Sequence, residues 1–192
     1  MKAHRAALSK VSGIAPPVLE ALADDGVLPF SKSQVRIGQT DHFEDKAIMA
    51  IGAISELSDQ AGIGPLKAGR FLAAVFRPNL GRLNLDHQFY DPKWLEMPER
   101  MKRNDALLEI VDGRYVFYGK GLQFTTPGIV PYLFGSLERS LLEDGDAIKI
   151  REIDINDPMF DEACDARRSP ENAILFNLSK AARSIVLKLR EK

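Results

Sequence analysis

The stretch that most limits what this 192-residue chain can become is Leu8 to Pro29, LSKVSGIAPPVLEALADDGVLP. Leu8 and Val11 place one apolar edge on a first helix, and Gly13 supplies the backbone freedom that a tight helix end needs. Pro16 and Pro17 mark a restart, because a proline in a first helical turn gives up an N–H that had no partner there. The second helix is therefore expected to begin near Ala15 or Pro16 and to bury Val18, Leu19 and Leu22. It should stop at Gly26, with Val27 and Leu28 folding back before Pro29. Two helices joined in this way form a helix-turn-helix, a unit that places its second helix in the major groove of DNA. An ordinary helical hairpin carries the same two apolar stripes, so a plain packing unit stands beside a DNA reader as the alternative.

The rest of the chain narrows the setting. With 45% hydrophobic and 28% charged residues, it has the balance of a soluble globular protein. No apolar run approaches the roughly 20 residues that cross a bilayer, so no membrane partner is expected. The length suits one large domain or two small ones, and two is the preferred reading. MKAHRAALSK lacks the apolar core of an export signal, and the single Cys164 has no internal disulfide partner, so the expected compartment is the cytoplasm. The net charge is only −1, with residues 1–83 at +2 and residues 84–192 at −3, so any basic footprint for nucleic acid must be local.

Behind the opening motif, Gln34 to Ile37 are expected to form one strand of a small wing, with Lys32 and Arg36 as its cations. Ala47, Ile48, Ile51, Ile54 and Leu57 then recur at helical spacing after a Thr40 or Asp41 cap, and Gly62 ends that helix. A further helix is expected from about Pro65 to Phe76, closed by Pro78, Asn79 and Gly81.

In register, GIAPPVLEALADDGVL resembles the recognition-helix consensus of the MerR-type winged helix-turn-helix regulators. Gly13, Ile14, Leu19, Gly26 and Leu28 occupy its glycine and aliphatic positions. His42–Phe43, then Asp45 and the helix to Leu57, resemble the family's wing aromatic, acidic helix start and third helix, and Gly62–Ile63 the step before its fourth. The resemblance covers residues 5–77 and implies a bacterial or phage transcriptional regulator that binds double-stranded DNA as a homodimer. On it, Pro16, Pro17, Val18 and Glu20 would face the groove, Lys10 and Lys32 would touch phosphate, and Gln34 and Arg36 would reach DNA from the wing. The chain departs from the family where Glu20, Ala21 and Leu22 replace an arginine and the aromatics that follow it, and where Ala15 replaces a Ser/Thr cap. The missing cap hydrogen bond costs on the order of 1 kcal/mol. Glu20, Asp24 and Asp25 make the second helix acidic. Glu20 could accept from a cytosine amine, while the phosphate affinity falls to Lys10, Lys32 and Arg36.

The second half follows a different pattern. ALLEIVDGRYVFY, Ala106 to Tyr118, reads as two strands around an Asp112–Gly113 turn, and AIKIREIDI, Ala147 to Ile155, as a strand with a bulge between Ile150 and Ile153. Ile129 to Leu142 is expected to be a helix or a turn-rich connector. The terminal SPENAILFNLSKAARSIVLKLREK reads as one helix capped by Ser169 with Pro170 at its first position. Ile174, Leu178, Ala181, Ala182, Ile185 and Leu189 form its stripe, and Lys180, Arg183, Lys188 and Arg190 its basic face. That helix would pack on its own domain, pair two copies, or touch DNA.

The expected fold is mainly α with a small α+β C-terminal part. A winged helix-turn-helix domain fills residues 1–80, and residues 84–192 form a β-hairpin-containing domain ending in an amphipathic helix, for oligomerisation or effector binding. No catalytic residue, metal site or cofactor is expected. His4, His42, His87 and Cys164 lack ligand spacing, no phosphate loop or nucleophile elbow is present, and Gly119–Lys120–Gly121 reads as a strand end. Asp154, Asp157, Asp161, Glu162 and Asp165 read as a solvated acidic loop, and Phe89, Tyr90, Trp94, Met97 and Met101 as core rather than a ligand pocket. The effector, a small molecule or a protein, is left open. The alternative function is a protein-interaction or assembly adaptor that uses the helix-turn-helix as a scaffold.

Overall fold

The computed structural model describes residues 2–24, 42–75, 105–126, 131–143 and 148–191. In chain order its elements are β1 (Lys2–His4), α1 (Arg5–Ser12), α2 (Pro16–Asp24), β2 (His42–Glu44), α3 (Asp45–Ala61) and α4 (Pro65–Val75). There follow β3 (Ala106–Val111), β4 (Tyr115–Lys120), α5 (Gly121–Thr125), β5 (Tyr132–Leu137), β6 (Ile150–Glu152), α6 (Met159–Arg168), β7 (Ala173–Asn177) and α7 (Leu178–Arg190). The described residues fall into two compact units. The first holds residues 2–24, 42–75 and 179–191, and the second those from 105 to 178.

The first unit is helical because its apolar residues recur at helical spacing, and its turns are set by backbone chemistry. The Nδ1 of His4 accepts the N–H of Ala6 at 3.3 Å and caps α1. Gly13 ends that helix at φ +72°, its N–H donating to the Ser9 carbonyl at 2.9 Å, a left-handed cap that a side chain would strain. The Ala15 carbonyl then accepts from Val18 and Leu19 at 2.9 and 3.1 Å, so α2 starts at Pro16 without a side-chain cap. Ser55 of α3 donates its hydroxyl to the Ser12 carbonyl at 2.6 Å and fixes the turn on the helix beneath it.

Leu8, Ile14, Leu19 and Leu22 are buried with Ile48, Ile51, Ile54, Leu57, Phe71 and Val75 in the core of this unit. The C-terminal helix belongs to it too, burying Ala181, Ala182, Ile185 and Val186. The helix crossing is close. A Cβ on Gly52 of α3 would lie 2.5 Å from Ile185 Cγ2 and 3.0 Å from the Ala181 carbonyl oxygen.

The second unit is an antiparallel sheet in the order β6-β5-β4-β3-β7. Its β3–β4 hairpin turns through Asp112 at φ +52° and Gly113 at φ +65°, and the Arg114 N–H closes the turn on the Val111 carbonyl at 2.9 Å. On one face Val111, Tyr115, Phe117 and Leu133 form a cluster with Ile153 and Ala163, and Met159 and Phe160 of α6 pack against it. Leu108, Ile110, Val116 and Tyr118, which alternate with these along the hairpin, are buried as well.

Polar side chains tie the elements of this unit together. Arg167 of α6 holds Glu109 of β3 at 2.5 Å and lies 5.4 and 5.7 Å from the Phe117 and Phe124 ring centres. Tyr115 donates its hydroxyl to Glu162 at 2.7 Å. The N–H of Asn172 donates to Asp112 Oδ1 at 2.9 Å, while the N–H of Asp112 donates to the Asn172 carbonyl at 2.7 Å. Burial, then the Glu162 hydrogen bond and charge, push the Tyr115 hydroxyl up to about 12. Burial alone does the same to Tyr118, whose hydroxyl has no hydrogen-bond partner among the described residues.

Several expectations are corrected. The third helix starts at Asp45 rather than after Thr40 or Asp41, because His42–Glu44 pairs as a strand with Lys2–His4, Phe43 lying opposite Ala3. Ile129–Leu142 contains strand β5, not a helix or connector. It lies between β4 and β6, with a register shift opposite Val116 and Phe117. The Ala147–Ile155 strand shrinks to Ile150–Glu152, and Ile155 is 72% exposed, so no bulge is needed there.

The terminal segment is not one helix. Ser169 ends α6, Ala173–Asn177 pairs with β3, and the helix begins at Leu178. Asp161, Glu162 and Asp165 lie on α6 rather than in a loop. Val18 is only half-buried. The C-terminal helix, read as part of the α+β half, groups with the N-terminal helices. The expected features at Gly26 to Pro29, Thr40–Asp41, Phe76 to Gly81, His87 and Phe89 to Met101 lie outside the described residues.

Candidate nucleic-acid interface

The α1–α2 pair buries one side of α2 and presents another. Leu19, Leu22 and Ala23 are buried, whereas Pro16, Pro17 and Glu20 at the start of the helix are exposed and Val18 lies between the two. This division follows from the sequence. The apolar residues at positions 19, 22 and 23 share one stripe, and the prolines occupy the first turn, where a carbonyl acceptor is not required of them. Pro16 and Pro17 carry no N–H, and the Val18 and Leu19 N–H groups are bonded to the Ala15 carbonyl, so at this helix start only the helix dipole, and no free backbone donor of these four residues, favours an anion.

The acidic Glu20 is not a lone charge. Arg5 of α1 donates from Nη1 to Glu20 Oε2 at 2.9 Å, with side chains 26% and 48% exposed. The pair links α1 to α2 and masks part of the carboxylate that would otherwise repel a phosphate backbone.

Lys10 is exposed on the last turn of α1. It lines a surface cleft with Val11, Lys188 and Glu191, the last two from the C-terminal helix and the residue after it. The structure thus brings Lys10, Pro16, Pro17, Val18 and Glu20 onto one pair of helices. Lys32, Gln34 and Arg36 lie outside the described residues.

Lys188 stands on the basic face legible in the sequence of its helix, but nothing in the sequence places that face beside Lys10. Arg5 carries no local signal at all. It stands 15 residues from Glu20 and meets it only once Gly13 has folded α2 back.

Among the described residues no group of three or more His, Cys, Asp and Glu side chains could hold a metal ion, and no helix is long and apolar enough to cross a membrane. Comparison with protein-family models, curated proteins and solved structures finds no match to this chain.

Proposed function

We propose that this chain binds double-stranded DNA in a sequence-specific way through the α1–α2 pair, as a transcriptional regulator of the MerR-like winged type that acts as a homodimer. The observation that carries the reading is the division of α2: Leu19, Leu22 and Ala23 are buried, while Pro16, Pro17 and Glu20 stand exposed at its N-terminal end. The β1–β2 pairing adds support. It ties the segment after residues 25–41 back to the start of α1, with Phe43 buried opposite Ala3.

The test is selection from a random duplex library beside a non-specific competitor. An enriched motif supports the reading, and its half-site spacing reports the symmetry of the dimer. Retention of no duplex over the competitor overturns it. Joint Lys32→Ala and Arg36→Ala should then lower the slope of log affinity against log salt by about 0.9 for each phosphate no longer neutralised.

The exposed acidic Glu20 favours the second reading, a protein-interaction adaptor. In that case a basic protein partner, rather than a duplex, would be retained.

A further inference from the structure

Lys10 of α1 and Lys188 of α7 line one surface cleft of about 420 Å³ together with Val11 and Glu191, and all four residues belong to the first unit. Neither lysine has an ion-pair partner among the described residues, so the cleft sets two ammonium groups against one carboxylate. Both lysines are exposed, as is Glu191, while Val11 is half-buried. Such a cleft suits one group of a larger molecule better than an enclosed small ligand, which is buried by mostly apolar walls.

The place of Lys188 is fixed by packing. Ala181, Ala182, Ile185 and Val186 bury the opposite side of α7, and Ile185 fills the space left by Gly52 of α3. Lys188 and Arg190 in the last turn also offset the partial negative charge of that helix end. Two like charges held beside one cleft by separate elements repel until an anion lies between them.

We propose that Lys188 is a phosphate contact of the DNA-binding surface, so that the C-terminal helix and α1 clamp one stretch of DNA backbone between Lys188 and Lys10. The inference rests on the reading of α1–α2 as a DNA-binding unit and extends its surface to a helix far away in sequence. The chemistry required is an anion on a continuous backbone. Glu191 tempers the affinity for any anion.

The test measures the affinity of the full chain for a labelled duplex across a salt series. Lys188→Ala and Lys10→Ala should each lower the salt slope by about 0.9 and weaken binding several-fold to any duplex sequence, since a phosphate contact carries no base information. Glu191→Gln should strengthen binding. Circular dichroism of each variant keeps a folding defect distinct from a missing charge, and Lys188→Arg, which retains the charge, should keep the slope. A wild-type salt slope that Lys188→Ala leaves unchanged while Lys10→Ala lowers it overturns the clamp and spares the DNA reading. A wild-type chain that binds no duplex overturns both. Inorganic phosphate that displaces the duplex beyond its ionic-strength effect, and does so only with Lys188 present, marks a small-anion site and overturns the assignment to backbone.

Discussion

The two units hold themselves together by different means. In the sheet unit one arginine is a structural tie: Arg167 of α6 holds Glu109 of β3 with both side chains largely buried, while the Arg151–Asp157 and Arg168–Asp165 pairs lie nearer the surface. In the helical unit, α7 meets α3 in the close approach of Gly52 to Ala181 and Ile185, and Lys10 and Lys188 face a cleft without ion-pair partners among the described residues. The difference teaches where to look for a partner. A guanidinium committed to a part-buried carboxylate, as that of Arg167 is, has little left to offer, whereas exposed lysines on a packed helical base can take up an anion at small structural cost.

The comparison is broken or sharpened first in the two cores. Phe117 is fully buried among Tyr115, Leu133 and Ala163, and its ring also faces Arg167. Phe117→Ala should cost about 3–5 kcal/mol in urea unfolding. Gly52→Ala supplies the sharper contrast. Helix propensity alone would make it stabilising by about 1 kcal/mol, but the added methyl meets Ile185 and the Ala181 carbonyl, and overpacking costs about 1–3 kcal/mol. A net loss of stability is expected, with faster amide exchange in α3 and α7. A gain would show that the close crossing is not what holds α7.

A middle-sized effect separates a satisfied hydroxyl from an orphaned one. Tyr115 and Tyr118 both rise from 10.0 to about 12, so the folded state favours their neutral forms. Their contribution is fully present below pH 10 and is lost as the pH climbs through about 12, because the unfolded tyrosines ionise first. Tyr118→Phe removes a buried hydroxyl that has no partner among the described residues and should leave stability at neutral pH equal or higher by about 1 kcal/mol, with a shallower alkaline decline. Tyr115→Phe removes a hydrogen bond to Glu162 and should destabilise at neutral pH. Equal effects of the two substitutions in a pH series of urea melts would erase the distinction.

The smallest effect concerns the α1–α2 pair. Arg5→Ala should cost less than about 1 kcal/mol, since the pair with Glu20 is partly exposed. It should nonetheless weaken duplex binding by unmasking a carboxylate, and Glu20→Ala should strengthen it. Unchanged duplex affinity in both variants would mean that this end of α2 does not approach DNA.

What could be read in the sequence was what local chemistry decides. Leu8, Gly13 and Pro16 specify α1, its end and the start of α2 within one short stretch, and Asp112–Gly113 specifies the hairpin. What escaped depends on partners far along the chain. β1 is three residues long and takes shape only against His42–Glu44, and β7 only against β3. The terminal segment misled because Ile174 and Leu178 stand four apart and mimic a helical stripe. The alternation that marks a strand, Ile174 and Phe176 inward with Ala173 and Leu175 exposed, runs into α7 with no turn residue to separate them. On the candidate site, Lys10, Pro16, Pro17 and Glu20 could be named from the motif, and Lys188 as one cation of a basic helix face; its place beside Lys10 could not, because only tertiary packing brings the two together.

The crossing at Gly52 also sets an order of assembly. Ile185 lies 133 residues after Gly52, and at ribosomal elongation rates it is made roughly ten seconds later. The sheet residues, contiguous in the chain, are all synthesised before α7 appears, while the first helices wait with the groove over Gly52 still open. Until α7 is made, the face of α3 at Gly52 lacks the helix that covers it, and Ala181 and Ile185 complete the packing of this unit after the sheet.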